Sequence, residues 1–176
     1  MRRRYGRCEE VRSPRVSWFI LFFLMVAIFF FNYFGKKLGG PSPPMPQDLV
    51  LFSPNGTPVI FRPSEELTVL TFVSSGCEPC RKQVEDLKAL AGKGWVVPVV
   101  VYVDSRFDPE KDGYIAGHTY TLHPKELKRV VEVMGVDRVP FTLIIDSGGL
   151  VRRSIKGYVP YDTLVSYIKV IRRYGI

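Results

Sequence analysis

Residues 70–87 read LTFVSSGCEPCRKQVEDL, and this stretch decides the fold. It lies inside a longer run. Leu67 to Ser74 is continuously apolar, β-branched or aromatic apart from its threonines and last serine, the pattern of a strand buried on both faces. Ser75 to Cys80 reads as a turn. A helix is predicted from about Glu78 to Leu90, with Val84, Leu87, Leu90 and Ala91 on one face and Gly92 and Gly94 ending it. Cys77 therefore sits where a helix begins, facing free N–H groups and the positive end of the dipole. Both lower a thiol pKa, which makes Cys77 the attacking thiolate. Cys80 lies one turn on and can resolve a mixed disulfide. Pro79 suits a first turn, where its missing N–H has no partner to lose. Glu78 sets a negative charge beside the thiols, opposing the dipole, so the pair is expected to be less oxidising than a strong oxidant. A Cys-x-x-Cys pair points to redox or metal chemistry rather than to a structural crosslink.

Working outward, Trp95 to Val103 (WVVPVVVYV) is a second central strand, expected to start at Val99 because Pro98 interrupts it. Residues 104–123 show no clear period and read as a long excursion with room for a short element. Its aromatics, Phe107, Tyr114 and Tyr120, either meet substrate or pack over a sheet edge. Pro124 to Met134 reads as a helix with Pro in its first turn and Gly135 after its end. Phe141–Asp146 and Leu150–Lys156 form a hairpin around Ser147-Gly148-Gly149, and Tyr161–Tyr174 is an amphipathic helix. Before the decisive strand, residues 49–53 and 59–61 flank Pro54-Asn55-Gly56, a turn signal. The order is an entrance hairpin followed by β-α-β-α-β-β-α, an α/β domain with a mixed sheet and helices on both faces.

The N-terminal third differs in kind. Residues 16–35 hold no charged side chain over 20 positions, flanked by Arg15 and Lys36. A helix of that length spans about 30 Å, the bilayer's hydrocarbon thickness. Trp18 and Tyr33 lie near its ends, where amphipathic rings favour headgroups. A cleaved signal peptide has a shorter apolar region and a small-x-small site; the Phe29–Phe31 run and the exit Phe34-Gly35-Lys36-Lys37 fit an uncleaved anchor better. Six arginines against two glutamates precede the span. Residues 1–15 are thus expected to stay cytoplasmic, with everything from about 36 outside. Residues 36–46, with GGPSPPMP at 39–46, form a semi-rigid spacer, and the domain runs over 47–176. Net charge is +8, but no basic run interleaved with aromatics argues for nucleic acid. The arginine-rich start is a topology signal, and the lipid bilayer is the expected neighbour. Cys8 falls on the cytoplasmic side, incidental or a palmitoylation site. Cys77 and Cys80 fall outside, where disulfides persist.

Taken with Val139-Pro140-Phe141-Thr142 directly before a strand, the strand–CxxC–helix unit and the closing hairpin and helix resemble the thioredoxin fold. The anchor, spacer, entrance hairpin and Cys-Glu-Pro-Cys sequence resemble the TlpA/ResA/CcmG-type branch, membrane-tethered thiol–disulfide oxidoreductases associated mainly with cytochrome c maturation. FVSSGCEPC also resembles the MauD type. The resemblance covers residues 47–176. It implies that Cys77 and Cys80 are catalytic, with no organic cofactor beyond their redox-active disulfide. It implies that Pro140 is cis, faces the cysteines and keeps metal ions off the dithiol. It further implies that Val139 leaves its backbone open to a substrate strand, and that Gly76, Glu78 and Pro79 tune the site. The implied partners are a protein disulfide or dithiol such as apocytochrome c and a membrane thiol carrier of the CcdA or DsbD type.

Three positions depart from that pattern. Gly76 stands where many relatives have Trp, Thr71 where thioredoxin has a buried Asp, and Gln83 where ResA-like reductases have Glu. The proton acceptor for the buried thiol is therefore not in its usual place; solvent, Glu78 or Glu85 is left for that role. The main rival is a Sco-type copper module on the same fold, which uses Cys-x-x-x-Cys and a distant His. The spacing here is one residue shorter, and His118 and His123 read as surface or core residues. A zinc ribbon lacks its second ligand pair, an inactive adaptor has no use for the reactive pair, and a peroxidase needs a lone peroxidatic cysteine.

Overall fold

The computed structural model describes residues 18–35, 49–104 and 106–174. The expected tail with Cys8, the spacer and the first residues of the expected anchor and domain lie outside them. The chain divides into two units, Met1–Pro41 and Ser42–Ile176. In the first, helix α1 (Trp18–Gly35) has 18 residues, which rise about 27 Å. Side-chain burial is described for residues 20–28 alone, all exposed, with Phe23 and Met25 at 71%. Among the described residues no helix is long and apolar enough to cross a membrane.

The second unit carries strands β1 (Val50–Phe52), β2 (Pro58–Ile60), β3 (Thr68–Val73) and β4 (Val97–Tyr102), with helix α2 (Glu78–Ala91) between the last two. Strand β5 (Thr119–Leu122), helix α3 (Pro124–Met134), strands β6 (Phe141–Ile145) and β7 (Val151–Lys156), and helix α4 (Tyr161–Tyr174) come next. One seven-stranded sheet runs β2-β1-β5-β4-β3-β6-β7. β3 is at its heart, parallel to β4 and antiparallel to β6, and all six of its residues are buried. That is why residues 68–73 read as a continuous apolar run rather than an alternating one.

Alternation along β3 sorts the core into two clusters. Leu70 and Phe72 face the side that holds Val130 of α3, together with Leu51, Val101 and Leu143. Val69 and Val73 face the side that holds Val84 and Leu87 of α2 and Leu164 and Ile168 of α4. Thr71 shares the parity of Val69 and Val73, and Thr142 that of Ile144. The two hydroxyls meet at 3.1 Å, both fully buried, so the polar pair sits inside the α2/α4 layer.

One boundary changes, and the room left for a short element is filled. β4 begins at Val97 and includes Pro98. Val97 N–H donates to Leu67 O beside β3 and Val100 N–H to His118 O beside β5, so the Pro98 nitrogen points to the β5 side, where β5 has not yet begun. Its missing donor costs no ladder bond. The excursion, in turn, contains β5, whose Thr-Tyr-Thr-Leu is β-branched and aromatic. It pairs parallel with β4 and antiparallel with β1, and so splices the entrance hairpin onto the main sheet.

Thr71→Val and Thr142→Val should each cost about 1–3 kcal/mol, since each strands a buried hydroxyl. The double substitution should recover most of the loss. Urea unfolding of the two singles and the double checks this.

Candidate active site

β3 ends at Val73, and the chain then turns tightly into α2. Gly76 takes φ +69°, and a Cβ built there would meet nothing within 4 Å. Backbone conformation rather than space selects glycine. Cys77 is the N-cap of α2 with extended backbone (φ −88°, ψ 106°), and its Sγ accepts from the Cys80 N–H at 3.3 Å. Glu78 and Pro79 fill the first turn, where the proline removes no hydrogen bond. Cys77 and Cys80 form a disulfide with S–S 2.12 Å. Cys80 is 2% exposed and belongs to the α2/α4 core cluster, while Cys77 is half-buried at its rim. The pair thus presents one reachable and one buried sulfur, at a helix N-terminus that favours a thiolate.

The Val139–Pro140 peptide is cis, and Val139 packs against the cluster that contains Cys80. Pro140 is buried, and its carbonyl accepts from Gly157 N–H at 2.8 Å. Glu78 is exposed and pairs with Arg81 and, at 3.8 Å, with Lys82. Its charge beside the thiols is thereby answered by two cations on the next turn. Glu85 is exposed, on the helix face opposite Cys80. Among the described residues no Asp or Glu is wholly buried; the buried polar residues are Thr68, Thr71, Gln83, Thr119 and Thr142.

Residues invisible to motif reading hold the turn in place. Asp104, just past β4, accepts from the Ser74 hydroxyl (2.5 Å), the Ser75 N–H (2.9 Å) and the Ser75 hydroxyl (2.8 Å). Burial pushes its carboxyl up, but these bonds, with one from the Arg106 backbone, outweigh it and hold the group below the ordinary carboxylate range. Asp112 accepts from Gly76 N–H at 3.0 Å and Asp108 N–H at 2.9 Å. The Tyr102 hydroxyl donates to the Asp112 and Gly113 carbonyls at 2.6 and 3.0 Å. Burial, then the charges of Asp112 and Asp104, push that phenol far above its usual value. The segment after β4 is thus clasped to the Cys77 turn. Together they wall a cleft of about 650 Å³ lined by Gly76, Cys77, Glu78, Arg106, Asp108 and Asp112 among others. Of the excursion's aromatics, Phe107 packs on Tyr102 with ring centroids 4.3 Å apart, so it braces the clasp. The Asp104 contact was implicit in the register: β3 and β4 are parallel with Val73 opposite Tyr102, which sets Ser74 and Asp104 at one edge of the sheet.

One histidine is engaged through its ring and the other through its backbone. The His123 side chain caps α3 by accepting from Lys125 N–H at 3.1 Å, and the His118 carbonyl bonds Val100. Among the described residues no group of three His, Cys, Asp or Glu is placed to hold a metal ion.

No family model matches the sequence, and no curated protein matches it either. Solved structures do. The thioredoxin domain of a thiol–disulfide oxidoreductase from Bacteroides vulgatus is 17% identical, with TM-score 0.57 over 74% of this chain and 99% of that one. A thiol:disulfide interchange protein from Bacteroides sp. is 18% identical, with TM-score 0.58 over 77% and 90%. Copper-bound ScoI from Arabidopsis thaliana is 20% identical, with TM-score 0.57 over 78% and 99%. Identities this low speak for the fold, which redox proteins and a copper-bound protein share.

Asp104→Ala should destabilise the domain by about 1–3 kcal/mol through three lost charge-assisted bonds. Because the folded pKa is depressed, the wild-type contribution is present above the unfolded value of about 3.9. It is lost as pH falls through the folded value. Unfolding curves of wild type and variant should therefore converge below about pH 4. With the parallel β3–β4 core, the antiparallel β6–β7 hairpin, the disulfide at the start of α2 and the cis Val139–Pro140 bond, the chain has the thioredoxin-like fold.

Proposed function

We propose that this protein is a thiol–disulfide oxidoreductase, anchored in the membrane by residues 16–35 with its domain outside the cytoplasm, and that it reduces disulfides of protein substrates. One observation carries the redox reading: a half-buried Cys77 at a helix N-cap, bridged to a 2% exposed Cys80. Cys77 lines the open cleft while Cys80 is 2% exposed, so Cys77 is the sulfur a partner would meet.

The reduced Cys77 thiolate attacks one sulfur of the substrate disulfide. A Cys77–substrate bond forms, and the first substrate thiolate leaves and takes a proton. Cys80 then attacks the Cys77 Sγ, which breaks the mixed bond and releases the second substrate thiol. The substrate has gained two electrons and two protons, and Cys77–Cys80 is again a disulfide. A membrane thiol carrier of the CcdA or DsbD type returns the pair to the dithiol. Substrate backbone pairs beside cis-Pro140 at Val139, while Gly76, Glu78 and Pro79 shape the approach to Cys77. The Cys-Glu-Pro-Cys sequence together with an anchor and spacer supports an apocytochrome c-like substrate.

The anchor reading rests on the 20 uncharged residues at 16–35 and the arginines before them. The full chain should stay with membranes after alkaline carbonate washing, and protease added to the outer face should remove the domain. Release by carbonate would overturn the anchor.

For the chemistry, Cys77→Ser should abolish disulfide reduction. Cys80→Ser should accumulate a substrate-linked mixed disulfide seen on non-reducing gels. A reduction potential near −270 mV or below marks a reductant and one near −120 mV an oxidant (both about, from thioredoxin and a strong periplasmic oxidant); the second value would sink the direction proposed here.

A further inference from the structure

Asp112 is half-buried on the segment after β4. Its Oδ1 accepts from Gly76 N–H at 3.0 Å and its Oδ2 from Asp108 N–H at 2.9 Å. Its own carbonyl accepts from the buried Tyr102 hydroxyl at 2.6 Å. The next residue fixes the segment from a second side. Gly113 (φ +91°) comes so close to α2 that a Cβ built there would stand 3.1 Å from Val84 Cγ1, and Val84 is a core residue 1% exposed. The carboxylate is therefore held in place by β4, by α2 and by the turn before the cysteines.

Gly76 is bonded to Cys77, so the reach of the chain places this carboxylate within about 10 Å of the Cys77 sulfur. Both residues line the same cleft. The other charges around that cleft offset one another. Glu78 pairs with Arg81 and Lys82, and Asp108 with Lys111 at 3.0 Å. The Lys111 ammonium is pushed above its ordinary value first by Asp108 and least by Asp112. Arg106 and Glu110 are exposed and opposite in sign. Asp104 is bonded to Ser74 and Ser75, farther back along the turn. Among the described residues, Asp112 is left as the half-buried negative charge of this cleft that lies in no ion pair.

A fixed negative charge disfavours a second one beside it. In the disulfide Cys77 carries no charge, whereas the reduced form gains one as the thiolate. The geometry points to Asp112 as a positioning residue that pins the turn before Cys77 and sets a standing charge against its thiolate. It thereby biases the pair toward the disulfide, the state of a protein that gives electrons away. This rests on the redox reading of Cys77 and Cys80 given above. The equilibrium it biases is protein disulfide plus dithiothreitol going to protein dithiol plus cyclic dithiothreitol disulfide. One S–S bond breaks, one forms, and two electrons pass to the protein with two protons, less the fraction that Cys77 releases as thiolate.

The test uses the full-length protein in detergent at low ionic strength. Asp112→Asn keeps an acceptor for Gly76 N–H and removes the charge. The pH midpoint of Cys77 alkylation, followed by mass spectrometry of its peptide, should fall by about half a unit. At pH 8 the dithiothreitol equilibrium should move about threefold toward the dithiol, which is about 14 mV less negative. Asp112→Glu keeps the charge and should stay close to wild type in both. The Asn shifts should shrink at about 1 M salt, where the screening length is about 3 Å; the loss of a purely structural contact would not respond in this way. An Asn variant that does not move, or moves toward the disulfide, would overturn the inference, as would a Glu variant shifted as far as Asn. Asp112→Ser is a second neutral variant. If neither neutral variant folds while Asp112→Glu does, the charge role is overturned in favour of a structural one. A wild type with no reversible couple sinks the redox reading instead, and that measurement alone reveals it.

Discussion

The burial of β3 on both faces is the constraint on which the rest depends. Its neighbours run in opposite directions, β4 parallel and β6 antiparallel, so its C-terminal end brings together the segment leaving β3 and the segment entering β6. The chain leaving Val73 turns into α2 with Cys77 at its cap, and the chain entering Phe141 carries the cis Val139–Pro140 bond. Both halves of the site thus come from the same end of one antiparallel pair. Packing of Val84, Leu87 and Leu90 from α2 on this layer fixes the helix and, with it, which sulfur faces outward.

Much of this was legible because period and chemistry agree along residues 67–91. An unbroken apolar run implies a doubly covered strand. A glycine before two cysteines implies a turn, and a 3.6-residue pattern implies the helix. The order of the later elements came from similar signals. β5 was harder: four residues in a breaker-rich stretch have too little pattern to stand out, and their pairing is fixed by β4 and β1 rather than by their own sequence. Pro98 misled for a related reason, since its tolerance depends on which side of β4 its nitrogen faces.

The site's supports were least legible. Asp104 and Asp112 act on Ser74, Ser75 and Gly76 across 29 to 36 positions, a distance no local pattern spans. Gln83 was visible as a departure from a familiar pattern. That it is wholly buried, and bonded through only one end of its amide, depends on the Val159 segment folding over α2.

The outer strands of the sheet have their own consequence. A seven-stranded sheet leaves two rows of unpaired backbone groups, and each could recruit a strand from another molecule. On one side β2 is only three residues long and opens with Pro58, which offers no donor. On the other, β7 sets Arg152, Arg153 and Lys156 along its length, with Lys156 held at 2.8 Å by Asp137. One rim is short and opens on a proline, and the other is lined by long charged side chains, two of them paired with Asp146 and Asp137. Both rims are thus poor templates for edge-to-edge pairing.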